Sequence, residues 1–217
     1  MLLGRALHDN PPVTSETTAN KFGEVVETSV ESLIGQCHRL YEAPPLGTLV
    51  RAGSDIFAVV SGIATLALDP SRRVIARGSD AATEADIYAA NPQLERLLRT
   101  DITLTVVGHC TSGAPVHQYL PPQPPRIHTF LYACDPQEVR SFFGDGGLQF
   151  DFMSLLLASF ANTDDVIAAS LREAAVAFED SRAFLIEASK AVAVLLTGDT
   201  MRLNTIVRRL PINEAGR

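Results

Sequence analysis

The spacing of apolar residues changes once along this chain of 217 residues, at a cluster of glycines. Before residue 143, apolar residues occur in short runs bounded by turn residues, which is typical of β-strands. After residue 147, they recur at the spacing that is typical of α-helices. Gly144, Gly146 and Gly147 interrupt any regular element between the two halves. The sequence therefore predicts an α+β protein, with a strand-built domain at residues 21–143 and a helical domain at residues 148–211.

The first half contains six predicted strands. A hairpin turn is predicted at Gly53, Ser54 and Asp55, and Gly62 predicts a bulge or a sharp bend within the longest apolar run. Several short strands with such bends favour a small closed β-barrel. The predicted strands are residues 22–26, 33–37, 48–51, 56–68, 102–108 and 116–120.

Two segments of the first half are not strand-like. Thr83 predicts the N-terminal cap of a short helical excursion from the barrel that runs to Leu98, and Pro92 splits it. Residues 121–125 include four prolines, whose fixed φ angles and missing N–H donors exclude a central strand. We expect this segment to form a stiff, extended strap.

The second half contains four predicted helices. Thr163 and Asp164 indicate the start of one of them, and Gly198 and Asp199 separate the last two. Because the connecting loops are short, we expect the helices to pack as a compact bundle. The helical segments are residues 150–160, 166–178 and 182–196, and a last one that reaches Arg209.

Motifs that carry catalysis are missing from the sequence. A P-loop needs a lysine between glycine and a hydroxyl residue, and neither Lys21 nor Lys190, the only lysines, has such neighbours. The sequence also lacks a dinucleotide-binding glycine motif after a strand, a Gly-x-Ser-x-Gly elbow and a His-Glu-x-x-His pair. We therefore predict a protein that is not an enzyme, with no catalytic residues, no cofactor and no metal.

Charge and cysteine content limit the partners and the compartment. The net charge of −7 and the pI near 5.2 disfavour direct binding to nucleic acid, which depends on clustered Lys and Arg. Cys37, Cys110 and Cys134 are odd in number and widely spaced, which favours a reducing compartment. The sequence has no apolar run of the roughly 18 residues that span a bilayer. We predict a cytoplasmic protein without membrane contact, with a mobile N-terminus at residues 1–20.

Three segments of the first half resemble a known family. With the excursion, they make residues 22–143 similar to a HAS-barrel, the small β-barrel that heads HerA-type DNA translocases and rotary ATP synthase subunits. HerA-like proteins continue into a RecA-type ATPase with a P-loop, whereas this chain continues into helices, so the resemblance does not extend to ATPase activity. The segments are Tyr119-Leu120-Pro121-Pro122-Gln123-Pro124-Pro125-Arg126-Ile127-His128, Gly23-Glu24-Val25-Val26 and Gly47-Thr48-Leu49-Val50.

The resemblance implies that the barrel serves in association. In HerA-like proteins it packs against neighbouring barrels and offers a docking surface to a nuclease. We therefore predict a non-catalytic assembly or adaptor protein, whose partner is a second copy of itself, a HerA-like motor or a nuclease. A barrel that binds single-stranded nucleic acid is the alternative.

Six residues are predicted to lie at an interface. Four of them flank or end the strap, where an aromatic and an arginine match the composition of interface hot spots. The other two are arginines in the last helical turn, which either touch a phosphate or complement the helix dipole. It is equally open that the strap only connects the barrel to the helices. The six residues are Tyr119, Leu120, Arg126, His128, Arg208 and Arg209.

Overall fold

The fold is given by a computed structural model that describes residues 20–111, 115–144, 147–159 and 163–212. Within these ranges, six antiparallel strands close into a β-barrel that is accompanied by seven helices. The predicted α+β class and the closed barrel are confirmed. The predicted mobile N-terminus, residues 1–20, lies outside the described residues except for Asn20. The strands are β1 (Lys21–Thr28), β2 (Ser32–Cys37), β3 (Leu49–Ala52), β4 (Ile56–Ala67), β5 (Leu98–His109) and β6 (Phe130–Ala133), in the barrel order β1-β2-β5-β4-β3-β6.

One of the six predicted strands is wrong. Residues 116–120 form no strand, and His117 makes only an isolated bridge to His109. Pro115 and Pro121 lie on either side of this bridge, and a proline has no N–H with which to extend a ladder. Strand β6, which was not predicted, closes the barrel instead, because it pairs with β1 on one side and with β3 on the other.

The predicted turn and bulge are both confirmed. Gly53 begins the turn between β3 and β4 with a φ angle of +64°, a conformation that residues with a Cβ seldom adopt. The pairing of β4 with β5 shifts register between Val60 and Gly62. Such a bulge bends the strand, and here it lies where β4 passes from the barrel wall to its exposed end.

The helices follow the capping signals of the sequence. Thr83 caps the first helix through a reciprocal capping box with Asp86, as predicted. One further helix was not predicted, although Asp135, Pro136 and Glu138 form the capping box that marks its start. The helices are α1 (Glu84–Ala90), α2 (Leu94–Leu97), α3 (Pro136–Phe143), α4 (Phe152–Ser159), α5 (Thr163–Ala175), α6 (Ser181–Leu195) and α7 (Thr200–Arg208).

The predicted division of the excursion and the helices of the second half are confirmed. Pro92 lies between α1 and α2, as the missing N–H of proline requires. Helices α4 to α7 match the four predicted segments, with ends that differ by a few residues. The largest shift is at α5, because Thr163 and the two aspartates that follow it lie inside its first turn. Those carboxylates complement the positive end of the helix dipole.

Apolar side chains fill the interior of the barrel. On β4, Ile56, Ala58 and Val60 belong to the interior, as the two-residue period of a strand requires. The bulge and the short strands bring residues from all six strands into one cluster. Its buried members are Val25, Leu33, Cys37, Val50, Ala52, Ile56, Ala58, Val60, Ile102, Leu104, Val106 and Leu131.

The outer faces of some of these strands are buried too. Phe57 and Val59 on β4, with Leu49 and Val107, belong to a second core that the helices complete. Helix α4 packs on β5, and α5 packs on β3, β4, α4, α6 and α7. Helices α4 and α5 therefore lie against their own barrel, and α6 and α7 pack on α5. Strands β3, β4 and β5 contribute side chains to both cores and are buried on both faces there.

Phenylalanine rings connect the helices to the barrel wall. The ring of Phe143 lies 5.0 to 6.0 Å, centroid to centroid, from five other phenylalanines, and these contacts are edge to face. Phe142 continues the network to Phe57 on β4, at 5.6 Å. Helix α3 thus joins the barrel to helices α4 to α7, which we call the helical layer. The five rings around Phe143 are those of Phe142, Phe150, Phe152, Phe178 and Phe184.

Gln118 is a buried polar residue that ties three segments together. Its side-chain amide donates to the backbone carbonyls of Phe142, at 2.9 Å, and Gln149, at 3.1 Å. Its side-chain oxygen accepts a hydrogen bond from the N–H of Phe152, at 3.1 Å. One side chain therefore provides hydrogen-bond partners for backbone groups at the end of α3, in the following loop and at the start of α4.

We predict that Gln118→Leu lowers the free energy of unfolding by about 3 kcal/mol, because the buried carbonyl of Phe142 and the buried N–H of Phe152 lose their partner. Urea unfolding measures this difference. The matched control is Gln123→Leu in the exposed part of the strap, for which we expect a change below about 0.5 kcal/mol. Equal effects of the two substitutions would contradict the role given to Gln118.

Candidate functional site

The candidate functional site begins where β4 and β5 extend beyond the barrel. Strand β4 pairs with β3 only as far as Val59, and β5 pairs with β2 only from Asp101 onward. Between Gly62 and Ala67, β4 continues in pairing with β5. The two strands thus form an arm that carries α1 and α2, and we call residues 62–100 the excursion arm.

Exposed apolar side chains are concentrated on the excursion arm. A two-stranded ribbon with short helices offers little interior in which to bury them. Val74 and Ile75 are 62% and 63% exposed. Soluble proteins seldom leave a cluster of this kind uncovered unless it binds something. The exposed large apolar residues of the arm are Ile63, Leu66, Leu68, Val74, Ile75 and Leu97.

Part of this apolar surface is concave. The end of β4, residues 68–77 and helix α2 enclose a cleft of about 250 Å³, which we call the excursion groove. Its walls come from segments that are separated by about twenty residues in the chain, so the groove exists only once the arm has folded. The apolar side chains that line it are those of Ala67, Leu68, Val74, Ile75, Leu94, Leu97 and Leu98.

Arginines dominate the polar part of the excursion groove. Nε of Arg72 lies 3.3 Å from a carboxylate oxygen of Asp69. Arg77 donates to the side-chain oxygen of Asn91, at 3.3 Å. Arg73 forms no ion pair or hydrogen bond with any residue that the structure describes. The lining therefore holds three guanidinium groups and one carboxylate, which is a local excess of positive charge in a chain of net charge −7.

A pair of tyrosines ties the excursion arm to the barrel. Tyr41, in the loop after β2, has a φ angle of +66°, and its N–H donates to the hydroxyl of Thr100 at 2.9 Å. The hydroxyl groups of Tyr41 and Tyr88 are 2.5 Å apart. This hydrogen bond raises the pKa of Tyr41, so the phenol stays protonated at neutral pH. The pair links α1 to the loop after β2.

The proline strap lies at the opposite end of the barrel from the excursion arm. It runs from the vicinity of β5 to β6, which are on opposite sides of the barrel. Leu120 packs against the interior cluster and Pro121 is buried, so the strap closes this end. The strap therefore connects two barrel strands and does not lead to the helices directly, and its role as an interface stays a prediction.

The other predicted interface residues of the strap lie at its two ends. Tyr119 is 56% exposed, and its ring stacks on that of His117 with centroids 5.1 Å apart. Arg126 is exposed. His128 has a φ angle of +66°, and its Nδ1 lies 2.8 Å from a carboxylate oxygen of Glu24. These residues form a solvent-facing rim around the closed end.

The two predicted arginines of α7 belong to the helical layer. A guanidinium nitrogen of Arg209 is 3.0 Å from a carboxylate oxygen of Asp165 on α5. Arg208 is exposed in the last turn of α7. Among the described residues, no hydrogen bond or ion pair joins either arginine to the strap. The six residues predicted as an interface therefore divide between the strap and α7.

The excursion groove was not predicted from the sequence. The signal in the sequence is a pair of apolar residues, Val74 and Ile75, inside a mostly polar run that contains Arg73 and Arg77. In the sequence such a pair cannot be distinguished from part of a short buried strand. Only the folded arm shows that both side chains are exposed and lie beside Leu97.

The described residues show no metal site and no membrane span. No group of three or more His, Cys, Asp or Glu side chains in those residues is arranged to hold a metal ion. Every helix in the same ranges is too short or too polar to cross a bilayer. Ser61, a possible nucleophile in principle, donates to the carbonyl of Thr103 at 3.2 Å and accepts from the hydroxyl of Thr105 at 3.0 Å, as a structural serine does.

Comparison with known proteins adds no family assignment. No protein-family model matches the sequence, and no curated protein matches it. The similarity to a HAS-barrel therefore stays a prediction.

The three cysteines are free thiols that the fold keeps protonated. Burial, with a smaller contribution from Asp101, raises the pKa of Cys37 to about 11. Burial raises the pKa of Cys134 well above its usual range, and the carboxylate of Glu138 adds to this. Burial also raises the pKa of Cys110. A thiolate is the reactive form of cysteine, so the three side chains are poor nucleophiles at neutral pH.

We predict that Cys37 in the folded protein reacts with iodoacetamide only as the pH approaches about 11, whereas in urea it reacts near the ordinary thiol pKa of about 8.5. Because its folded pKa is raised, the protonated thiol favours folding below the ordinary value, and this contribution is lost as the pH rises toward 11. Mass spectrometry of the alkylated peptides measures the rates. Similar rates at Cys37 in the folded and the unfolded chain would contradict the prediction.

Proposed function

We propose that this protein is a non-catalytic assembly or adaptor protein that binds its partner through the excursion arm. The observation that carries the proposal is the exposure of Val74, Ile75 and their apolar neighbours around the excursion groove. Burying one aliphatic side chain contributes roughly 1.5–3 kcal/mol, so a partner that covers several of them gains substantial binding energy. The barrel interior is filled by its own side chains, which leaves the outer surfaces for binding.

We also propose that residues 22–143 are a HAS-barrel and that α4 to α7 form a helical bundle in the place of the family's ATPase. The closed barrel, the helical excursion between β4 and β5 and the strap before β6 support this proposal. By the same resemblance, the partner is a second copy of the chain, a HerA-like motor or a nuclease. The three free thiols favour a cytoplasmic, reducing compartment.

A second candidate function is binding of single-stranded nucleic acid. The exposed ring of Tyr119, stacked on His117, is the observation in its favour, because nucleobases stack on such rings. Arg126 is exposed at the other end of the strap. The net charge of −7 opposes this function, so we rank it second.

We predict that the double variant Val74→Ser/Ile75→Ser weakens association on the order of a hundredfold or more, because the partner no longer covers two aliphatic side chains. Self-association is measured by sedimentation velocity over a concentration series. Association with purified HerA-like motor and nuclease pairs is measured by pull-down with the full chain. The matched control is Val176→Ser/Val194→Ser, which removes two exposed valines from the helical layer and should leave association unchanged.

The proposal fails if the protein is a monomer at every concentration and captures neither a motor nor a nuclease. Binding of a fluorescent oligothymidine that is lost in Tyr119→Ala would establish the second candidate function instead. Equal weakening by the groove variant and the control variant would show that binding does not take place at the excursion arm.

A further inference from the structure

The charges around the excursion groove indicate the chemistry of its occupant. Arg72, Arg73 and Arg77 border an apolar floor, and Asp69 is the single carboxylate of the lining. Asp69 is already paired with Arg72, which leaves Arg73 and Arg77 without an acidic partner among the described residues. From this arrangement, we propose that the groove binds an extended peptide segment of a partner protein in which acidic residues alternate with aliphatic ones.

This inference deepens the proposed function and rests on it. The proposed function states that the excursion arm binds a partner, and the inference adds the charge and the conformation of the bound segment. Each addition depends on a separate observation, so each can fail while the adaptor function stands.

The first observation is charge complementarity. A carboxylate placed against Arg73 or Arg77 would form a charge-assisted hydrogen bond, and arginine suits carboxylates because its planar group can bind both oxygens. The chain as a whole carries a net charge of −7 and repels acidic peptides at long range. At physiological ionic strength this repulsion is screened beyond about 8 Å, so the local arginines decide the preference.

The second observation concerns the backbone. Residues 73–77 form neither helix nor strand, and their N–H and C=O groups make no hydrogen bond with any described residue. A peptide that lies alongside them can pair its main chain with these groups, as in the addition of a strand to an exposed edge. An alternating sequence then presents its aliphatic side chains to the apolar floor of the groove and its acids to the outer side, where the long, exposed side chains of Arg73 and Arg77 border the groove.

The third observation is the size of the groove. A cleft of about 250 Å³ is just below the range of roughly 300–1,000 Å³ that holds drug-sized ligands. It accepts a few aliphatic side chains of a peptide. The exposed apolar residues outside the cleft, Ile63 and Leu66, then contact the rest of the partner.

The experiment uses the full chain and two pools of short fluorescein-labelled peptides. In the first pool, Asp or Glu alternates with Leu, Ile or Val, and in the second pool Lys or Arg replaces the acids at the same positions. Fluorescence anisotropy at physiological ionic strength measures the affinity of each pool. We expect the acidic pool to bind on the order of tenfold more tightly than the basic pool.

Charge reversal gives the sharpest test. In Arg73→Glu/Arg77→Glu the preference should invert, so that the basic pool binds more tightly than the acidic pool. The matched control, Arg182→Glu/Lys190→Glu, reverses two exposed charges on α6 and should keep the preference for the acidic pool. This control has the same net charge, so an inversion that is seen only in Arg73→Glu/Arg77→Glu reports on the groove.

A third pool, acidic and N-methylated on alternate backbone nitrogens, should bind on the order of tenfold more weakly, because it cannot pair its main chain.

Several outcomes would overturn the inference. They are equal binding of the acidic and basic pools, a preference that does not invert on charge reversal, and full binding of the N-methylated pool. Binding to vesicles that contain phosphatidylserine, lost in Arg73→Glu/Arg77→Glu while no peptide pool binds, would replace the peptide with a lipid surface. If none of the pools binds but Val74→Ser/Ile75→Ser still weakens association, the inference fails and the adaptor function stands.

Discussion

The structure depends on the pairing of β4 with β5, which continues over the whole length of both strands. In its first half, β4 is buried on two faces, since Ile56 and Val60 belong to the barrel interior while Phe57 lies against the helices. In its second half the same strand has solvent on most sides. One continuous ladder therefore supports both a closed core and an exposed arm. The bulge beside Gly62 marks the change between them.

This division separates the stable part of the molecule from the part that offers binding surface. The phenylalanines around Phe143 and the hydrogen bonds of Gln118 hold the helices on one side of the barrel wall. The excursion arm extends beyond these contacts and is tied back by the hydroxyl pair of Tyr41 and Tyr88. A surface on such an arm can differ in composition without disturbing either core, because few of its side chains belong to them.

Much of the fold could be predicted from local patterns, and the groove could not. The continuous apolar run around Val59, the cap at Thr83 and the break at Pro92 are signals that lie within a few residues of the elements they define. Strand β6 has only four residues and gains its role from pairing with two distant strands. The groove brings Leu68 close to Leu97, and no local pattern specifies such a contact.

The position of β6 has a consequence for how the chain is made. The other five strands can pair in the order β1-β2-β5-β4-β3 without it, which gives an open sheet whose two edges are β1 and β3. Those edges expose unpaired backbone groups, and such edges promote aggregation. They stay open until residues 130–133 have left the ribosome and crossed the barrel end behind the prolines. A chain cut short before Phe130 would keep both edges exposed. Synthesis of β6 therefore decides whether the sheet stays open and prone to aggregation or closes into a barrel.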